Sequence, residues 1–414
     1  MAHLLIIDLP GGNDTDIFDA AINLGHSYSF LSSDIPLYLQ QPKVASYLER
    51  ADAIVDTAGK LYEDIEKQVL ALHKKNTIDA VLCLIDIRLI QAAKLAEKLH
   101  VHYLNSESAI LLRDKFNVRR KLAEYGIAQP EFALAESTAE LVQAVHKLGL
   151  PVLIKPADGY GSQNIISLLE PEDLDPWISP LEEMLPSHTD YGLGVKANDR
   201  LLVERYMEGS FIGCDTFTVD GEHYLLGVNE KKMFAPPSFA IQGGCFTPRQ
   251  AEHAELERYV FSLLRAVNFN WGAAHIELMM TKEGPRLVEI NPRLVGARIG
   301  RLIGYALNRS IYEDLIALHL GSWLPSSQQE KSHQVAITRW IVSAESGTIK
   351  NIALPDKADP AIKCVEILKH AGDAVHPPFE NADRIGYVMT ASTSRDHAEA
   401  LADRYITEIQ LALD

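Results

Sequence analysis

Cysteine is scarce in this sequence, with four residues among 414. Cys83, Cys214, Cys245 and Cys364 lie far apart and form no Cys-x-x-Cys pair. This spacing argues against a disulfide framework and against a zinc site, and a reducing compartment such as the cytoplasm fits it best.

Long apolar runs are also missing, because no stretch of 18 apolar residues occurs, and we expect no membrane span. The first residues, MAHLLIIDLPGG, lack the basic flank and small-residue cleavage site of a signal peptide and are more typical of a first strand. A basic excess is absent too, since 39 Lys and Arg against 56 Asp and Glu give 39 − 56 = −17. Nucleic acid is therefore not expected as the main partner, although a local basic pocket for a small phosphate ligand remains open.

The hydrophobic fraction of 47% is sufficient for buried cores, and 414 residues suggest two to four domains. The opening segments alternate between strand and helix patterns. Residues 4–9 and 80–85 predict buried strands, and apolar residues recur at helical spacing over 17–24 and 89–99. This alternation predicts a parallel sheet covered by helices, with Asn105-Ser106 as the cap of the next helix.

The pattern changes after residue 107. Residues 112–122 predict one basic helix, and Asp220-Gly221 predicts the turn of a hairpin between 216–219 and 224–228. Residues 251–268 and 298–320 predict helices, 322–332 a polar linker, and the last eighty or so residues a small α/β appendage.

A hairpin around Glu283 is the most informative feature. A short turn there places Glu277 across from Glu289, and strand alternation places Asn291 on the same face as Glu289. Two carboxylates facing each other within an apolar strand pair repel, and a divalent cation removes that cost. Oxygen ligands favour Mg²⁺ or Mn²⁺. The alternative is a different register in which one glutamate faces solvent.

Lysines and glycines suggest a phosphate site. Lys155 ends an apolar strand and precedes a turn with Gly159, Gly161, Ser162 and Gln163, whose backbone amides and ammonium group could cradle an anion. The sequence lacks the GxxxxGK[ST] of a P-loop, so an ordinary tight turn with a solvent-facing lysine is the alternative.

Three further segments carry candidate residues with plain alternatives. Lys115 lies among arginines that could form a solvated helix face. Arg293 follows Asn291 by two residues and could bind a carboxylate or an oxyanion, or form a structural ion pair. The strand ending at Glu204 could offer adenine an edge and an apolar slot beside Tyr206 and Met207.

Taken in order, these pieces resemble the ATP-grasp superfamily. The segments are RDKFNVRRKL (113–122), PVLIKPADGYGSQNI (151–165), LLVERYMEG (201–209), HIELMMTKEGPRLVEINPR (275–293) and VGARIG (295–300). The resemblance covers about residues 105–320. It implies an N-terminal Rossmann-like (pre-ATP-grasp) α/β domain over 1–106, a two-subdomain α+β ATP-grasp fold over 107–325 with a mobile lid at about 130–208, and a small C-terminal α/β subdomain over 326–414.

The same resemblance implies roles for individual residues. One group would bind ATP: Lys115, Lys155, Gly159, Gly161, Ser162, Gln163, Glu204, Arg205, Tyr206 and Met207. Glu277, Glu289 and Asn291 would hold one or two Mg²⁺, with Arg293 and Lys155 acting in catalysis. One departure concerns the ribose contact, since Phe211 stands where an acidic residue is usual and Asp215 is a weak substitute.

The closest likeness is to bacterial L-amino-acid ligases, which join amino acids into dipeptides, some of them in antibiotic pathways. It implies ADP-forming ligation of a carboxylate and an amine through an acyl phosphate, by an enzyme that is often a homodimer. Residues 231–244 resemble the substrate loop of these ligases, with the pocket lined by Lys231, Met233, Phe234, Phe239, Gly243, Gly244 and Arg293. The alternatives are an ATP-grasp carboxylase or purine-pathway enzyme that uses bicarbonate, and a non-catalytic nucleotide-binding protein.

Overall fold

The computed structural model describes residues 1–159, 165–170, 200–234, 240–325, 334–357, 359–378 and 381–414. It is a mixed α/β structure with a four-stranded parallel sheet, a four-stranded antiparallel sheet, an eight-stranded sheet and a three-stranded sheet. No helix in these ranges is both long enough and apolar enough to cross a bilayer.

The N-terminal sheet is parallel and has the strand order β3-β2-β1-β4. Its strands are β1 (His3–Ile7), β2 (Ser27–Ser32), β3 (Ile54–Asp56) and β4 (Ala80–Cys83). Its helices are α1 (Asp16–Asn23), α2 (Ile35–Leu39), α3 (Pro42–Leu48), α4 (Tyr62–Lys75) and α5 (Leu89–Leu99). Every residue of β1 and β4 is buried, as expected for parallel strands covered on both faces. The predicted Rossmann-like architecture is confirmed.

The predicted basic helix over 112–122 is wrong as a single element. Helix α6 (Ser106–Leu112) ends before Asp114, and α7 (Lys115–Glu124) begins after it. The Asp114 carboxylate accepts a hydrogen bond from the Asn117 N–H (2.9 Å) and thereby caps a new helix. The predicted cap at Asn105 is confirmed, because its side chain accepts from the Ser108 N–H (2.8 Å).

The antiparallel four-stranded sheet has its own small core. It has the order β5-β8-β6-β7 and consists of β5 (Phe132–Ala135), β6 (Val152–Pro156), β7 (Ile166–Leu168) and β8 (Leu201–Arg205). Helix α8 (Thr138–Leu148) packs on it through Leu141, Ala144, Val145 and Leu148, which face a cluster of buried strand residues.

The eight-stranded sheet has the order β13-β12-β9-β10-β11-β14-β18-β16. Its strands are β9 (Ser210–Val219), β10 (Glu222–Met233), β11 (Ile241–Pro248), β12 (Gly272–Thr281), β13 (Gly284–Asn291), β14 (Val335–Ile341), β16 (Ile362–Ile367) and β18 (Gly386–Ser392). Both predicted hairpins are confirmed. In the first, Asp220 and Gly221 have φ of +48° and +78°, the left-handed pair that a two-residue hairpin turn requires.

The remaining helices pack around this sheet. They are α9 (Ala254–Ala266), α10 (Ile299–Leu307), α11 (Ile311–His319) and α12 (Arg395–Glu408). The predicted continuous helix over 298–320 is therefore two helices, because Asn308 takes a left-handed φ of +53° and Ser310 caps α11. Most of the predicted 322–332 linker lies outside the described residues.

The C-terminal region is more closely joined to the rest than an appendage would be. Strands β14, β16 and β18 extend the large sheet, with β14 paired to β11. Only β15 (Gly347–Ala353), β17 (Ala374–Val375) and β19 (Gln410–Leu413) form a separate small sheet among the described strands. One continuous apolar core runs from β1 through Phe217 and Leu302 to Tyr387. Residues from β11 and the C-terminal region can therefore contribute to one site.

Candidate functional site

A cavity of about 610 Å³ lies between the antiparallel four-stranded sheet and the eight-stranded sheet, within the size range of small-molecule sites. We call it the central cavity. It brings together Lys115, Lys155, Glu204, Glu277 and Glu289, which come from five separate elements. Its other lining residues are Leu153, Pro156, Gly159, Ile165, Arg205, Tyr206, Met207, Glu208, Gly209, Ser210, Phe211, Lys231, Met233, Phe234, Ile241, Met279, Val288 and Asn381.

A buried triad joins the two sheets at one wall of the central cavity. Glu204, at 2% exposure, pairs with the Lys155 Nζ (2.7 Å) and with the Arg119 Nε (2.5 Å). Arg119 also donates to the carbonyls of Leu287 (2.8 Å) and Val288 (3.1 Å). The triad thus connects helix α7 with strands β6 and β8 of the four-stranded sheet and with β13 of the eight-stranded sheet.

Electrostatics fix the charge states of this triad. Burial by itself would raise the pKa of Glu204, but the Arg119 and Lys155 cations outweigh it and hold that pKa at about 2. Burial lowers the pKa of Lys155, and the Glu204 carboxylate opposes this shift. The Arg119 side chain was not expected here, because the basic run had predicted a solvated face. Its position between the buried Val118 and Leu122 is the signal that identifies it.

The predicted adenine contacts at residues 204–207 already have protein partners in most cases. The Glu204 carboxylate is engaged by two cations, and the Tyr206 N–H donates to the Pro151 carbonyl (3.0 Å). The Arg205 guanidinium pairs with Glu131 (3.0 Å) and is half exposed. Among the described residues, the Met207 backbone has no hydrogen-bond partner that would compete with adenine.

The predicted glycine loop starts beside two basic side chains. Arg113 donates to the Asp158 carbonyl (2.7 Å), and Lys115 donates to the Gly159 carbonyl while pairing with Glu289 (2.8 Å). Gly161, Ser162 and Gln163 lie outside the described residues. Lys115 therefore lies where the loop, the carboxylates and the central cavity meet.

The two predicted carboxylates face each other. Glu277 of β12 is directly opposite Glu289 of β13, which confirms the predicted register. Glu277 pairs with Lys231 (2.5 Å). Burial would raise the pKa of Glu277, but Lys231 and His275 lower it well below its usual range.

The protein supplies two of the three ligands that were predicted for a magnesium ion. Two carboxylates line the central cavity, whereas Asn291 does not line it and its Oδ1 lies 3.4 Å from the Arg293 Nη2. In the described part of the chain no group of three or more His, Cys, Asp and Glu residues could hold a metal. Mg²⁺ accepts few protein ligands and takes the rest from phosphates and water, so two carboxylates suffice.

A buried histidine lies behind Glu277. The His275 Nδ1 is 2.9 Å from the Asp215 Oδ1, and its Nε2 is 3.6 Å from the Glu277 Oε1. Gly213 leaves room for the ring, since a Cβ there would lie 2.4 Å from the His275 Cε1. Asp215 is thus committed to His275 and does not line the central cavity, which argues against it as the ribose contact. Glu208, which the sequence did not single out, does line it.

Arg293 lies outside the central cavity and faces the N-terminal domain. Its Nε and Nη2 donate to one oxygen of Asp86 (2.8 and 2.5 Å), and its Nη1 donates to the Leu294 carbonyl. This is the ion pair that the sequence had left open as the alternative. Asp86 follows the parallel strand β4 by three residues, at the carboxyl end where α/β sheets place ligands, and that position could have identified it.

The described residues of the predicted substrate loop over 231–244 are mostly strand. β10 continues to Met233 and β11 begins at Ile241, while Phe239 lies outside the described residues. Lys231, Met233 and Phe234 line the central cavity, and the Lys231 Nζ lies 4.2 Å from the centre of the Phe211 ring.

Gly243 and Gly244 were predicted to line the substrate pocket, but neither lines the central cavity. Both lie within β11 and outside the cavity wall. A Cβ at Gly243 would lie 2.4 Å from the Thr338 carbonyl oxygen, and one at Gly244 would lie 2.8 Å from the Asn229 Oδ1. These glycines allow close approach of neighbouring strands.

Two known families match parts of this chain. The ATP-grasp domain matches residues 148–300, and the L-amino acid ligase C-terminal domain 2 matches residues 339–414. The uncharacterized protein y4rH of Sinorhizobium fredii is 27% identical over 71% of this chain and 60% of its own length. The L-arginine-specific L-amino acid ligase of Bacillus subtilis is 27% identical over 65% of this chain and 64% of its own length.

The matches thus span less than two thirds of the length of either curated relative. Among solved structures, that of the L-amino acid ligase from Bacillus licheniformis is similar with a TM-score of 0.80 at 19% identity. The likeness covers 100% of this chain and 99% of that one. At this identity the likeness establishes the fold.

Proposed function

We propose that this chain, a member of the ATP-grasp superfamily that resembles bacterial L-amino-acid ligases, is an ATP-dependent ligase that joins a carboxylate substrate to an amino acid. The observation that carries the proposal is the central cavity itself. It contains two facing carboxylates, Glu277 and Glu289, together with the ammonium groups of Lys115, Lys155 and Lys231. This is the charge arrangement that a nucleoside triphosphate with a divalent cation requires.

The reaction would proceed in two steps. An oxygen of the substrate carboxylate attacks the γ-phosphorus of ATP, the bond to the β-γ bridging oxygen breaks, and an acyl phosphate and ADP result. The amine of the second substrate then attacks the acyl carbon, loses a proton and expels phosphate, leaving an amide bond. Phosphoryl transfer depends on positioning and on charge neutralisation more than on covalent help from the protein.

Each residue would act through its place in the central cavity. Glu277 and Glu289 would hold the Mg²⁺ or Mn²⁺, which neutralises phosphate charge when bound. Lys115 and Lys155 would contact phosphate oxygens, exchanging their present carboxylate partners for the nucleotide. Met233 and Phe234 would contact the amino-acid substrate. Exclusion of water protects the acyl phosphate from hydrolysis.

A phosphate-release assay tests the proposal. ATP with Mg²⁺ and pairs of amino acids should give ADP and phosphate, and mass spectrometry should detect the dipeptide; ATP with Mg²⁺ alone should give neither. Release stimulated by bicarbonate would instead indicate a carboxylase-type enzyme. Tight ATP binding with no turnover for any pair would indicate a nucleotide-binding protein. A role in dipeptide-antibiotic biosynthesis, which the likeness to L-amino-acid ligases suggests, would be supported by a product with antibacterial activity and contradicted by an inactive one.

The proposed catalytic role of Arg293 needs its own pair of variants, because the guanidinium is bound to Asp86. If Arg293 stabilises the oxyanion of the second step, Arg293→Ala stops ligation without weakening ATP binding, while Asp86→Asn retains most of the activity. If Arg293 only forms the ion pair with Asp86, then Arg293→Ala and Asp86→Asn should lower the unfolding midpoint by similar amounts and should lower activity by similar factors.

A further inference from the structure

A buried cation lies behind Asn381, a residue of the C-terminal region that lines the central cavity. Arg384 is 9% exposed, and its guanidinium lies 3.9 Å from the centre of the Trp340 ring. Its Nη2 donates to the Asn381 Oδ1 (2.5 Å) and to the Ile241 carbonyl (3.3 Å). No carboxylate forms an ion pair with Arg384 among the residues that the structure describes, and its buried Nε has no hydrogen-bond partner there.

A buried charge without a counter-ion is costly, because neither water nor an anion compensates it. Burial lowers the pKa of Arg384 to about 9, which still leaves the guanidinium charged near neutral pH. Among the described residues, this positive charge behind Asn381 and Ile241 thus has a ring and two oxygen acceptors beside it but no anion, and both of these residues line the central cavity.

The amide of Asn381 has a defined orientation. Its Oδ1 accepts hydrogen bonds from the Ile241 N–H (3.1 Å) and from Arg384. Both partners are hydrogen-bond donors, so the amide atom that faces them must be the oxygen and not the nitrogen. The NH₂ group consequently points away from Ile241 and Arg384, and Asn381 is one of the residues that line the central cavity.

The position of Asn381 suits the second substrate. Ile241 pairs with Met233, which is two residues along β10 from Lys231, or about 7 Å at the rise of a strand. Lys231 in turn contacts Glu277, where the phosphates would be. The Asn381 donors are thus separated from the phosphoryl-transfer position by roughly the length of one or two amino acids, beside the apolar Met233 and Phe234.

We infer that Asn381, held in place by Arg384, binds the carboxylate of the amino acid that supplies the amine. The reacting carboxylate must reach the phosphates near Glu277, so the carboxylate that stays unreacted is the one left for Asn381. Two N–H donors backed by a buried cation favour an anionic acceptor over a neutral one. Asn381 would be a binding residue, and Arg384 a positioning residue. The inference rests on the proposed ligase function of the same cavity.

Asn381→Asp is the sharpest variant, because it keeps an oxygen for Ile241 and Arg384 but replaces the two N–H donors with a second oxygen. The KM of the amine-supplying amino acid should rise at least tenfold, while the KM of ATP stays within twofold. Asn351→Asp makes the same chemical change at an exposed position of β15 and should alter neither value. An unchanged KM for both amino acids in Asn381→Asp would overturn the inference.

A second comparison tests the carboxylate itself. The wild-type enzyme should prefer the free amino acid over its carboxamide as amine donor by at least tenfold, and Asn381→Ala should reduce this preference to near unity. Arg384→Met should reduce it as well, and Arg384→Lys should restore part of it, because the charge and one donor return. A structural role alone would lower the unfolding midpoint in Arg384→Met without changing the preference.

A binding measurement separates this inference from the proposed function. Calorimetric titration of the twenty amino acids, singly, into the chain with AMP-PNP and Mg²⁺ needs no turnover. Binding that Asn381→Asp weakens, without turnover for any pair, supports the carboxylate site and refutes the ligase. Turnover with kinetics that Asn381→Asp leaves unchanged supports the ligase and refutes the site. Neither binding nor turnover refutes both.

Discussion

Arg119 should be one of the most important side chains for the stability of this protein, and Arg119→Met tests this. The substitution keeps the unbranched apolar stem but removes the guanidinium. At 2% exposure the lost contacts are the ion pair with Glu204 and the hydrogen bonds to the carbonyls of Leu287 and Val288. Water cannot replace them at so low an exposure.

The expected cost follows from what is left behind. Removal of one partner of a buried ion pair typically costs about 3–5 kcal/mol, chiefly because the other charge stays buried. Lys155 still pairs with Glu204 at 2.7 Å, so we expect the lower end, about 3 kcal/mol. In the double variant Arg119→Met with Glu204→Gln, the Arg119–Glu204 ion pair is lost once rather than in each of two single variants, and Lys155 is the charge left without its carboxylate. The cost of the double variant should therefore fall below the sum of the single variants by about 1 kcal/mol or more.

Urea unfolding, followed by circular dichroism and by intrinsic fluorescence together, measures these free energies and reveals any intermediate. Arg120→Met is the matched control, because Arg120 is the next residue of α7 and is exposed. It should change the free energy of unfolding by less than about 0.5 kcal/mol. A cost below about 1 kcal/mol for Arg119→Met, or equal costs for the two variants, would refute the role assigned to the triad.

Three further predictions concern the metal, the sheet and pH. Glu289→Gln should abolish Mg²⁺-dependent phosphate release, and a rate above a tenth of the wild-type rate would contradict its role. Glu283→Gln, on the exposed turn, should leave phosphate release unchanged. Gly243→Ala should destabilise by about 1–3 kcal/mol, because its Cβ would overlap the Thr338 carbonyl, which thermal unfolding would reveal. The pKa of Glu204 is about 2 in the folded chain against 4.5 in the reference state, so its stabilisation is complete above pH 4.5 and is lost as the pH falls toward 2. An acid titration of unfolding should show this loss in wild type and less of it in Glu204→Gln.

Local patterns were sufficient wherever the deciding contact is close in sequence. The pairing of Glu277 with Glu289 was predicted from a short turn centred on Glu283 and from strand alternation, and the structure contains that pair. The turn itself is tighter than predicted, because Thr281 pairs with Gly284, and a bulge between Glu277 and Leu278 restores the facing carboxylates. The cap at Asn105 and the turn at Asp220-Gly221 follow from equally local chemistry. The break at Asp114 was missed although it is local, because a continuous basic run masked a capping residue.

Contacts between distant segments could not be derived this way. Arg293 contacts Asp86 across 207 residues, and Arg119 contacts Leu287 across 168 residues. An arginine in a helix pattern carries no sign of which of 56 acidic residues it will meet, or whether it will be buried at all.

The sequence by itself determined the kinds of element, predicted the facing carboxylates and carried the resemblance to the ATP-grasp superfamily, because side-chain period and turn chemistry act over a few residues. The tertiary structure alone decided which side chains share the central cavity. Asn381 reaches it only because β14, β16 and β18 extend the sheet that carries Glu277, and strand pairing of that kind depends on contacts that no local pattern encodes.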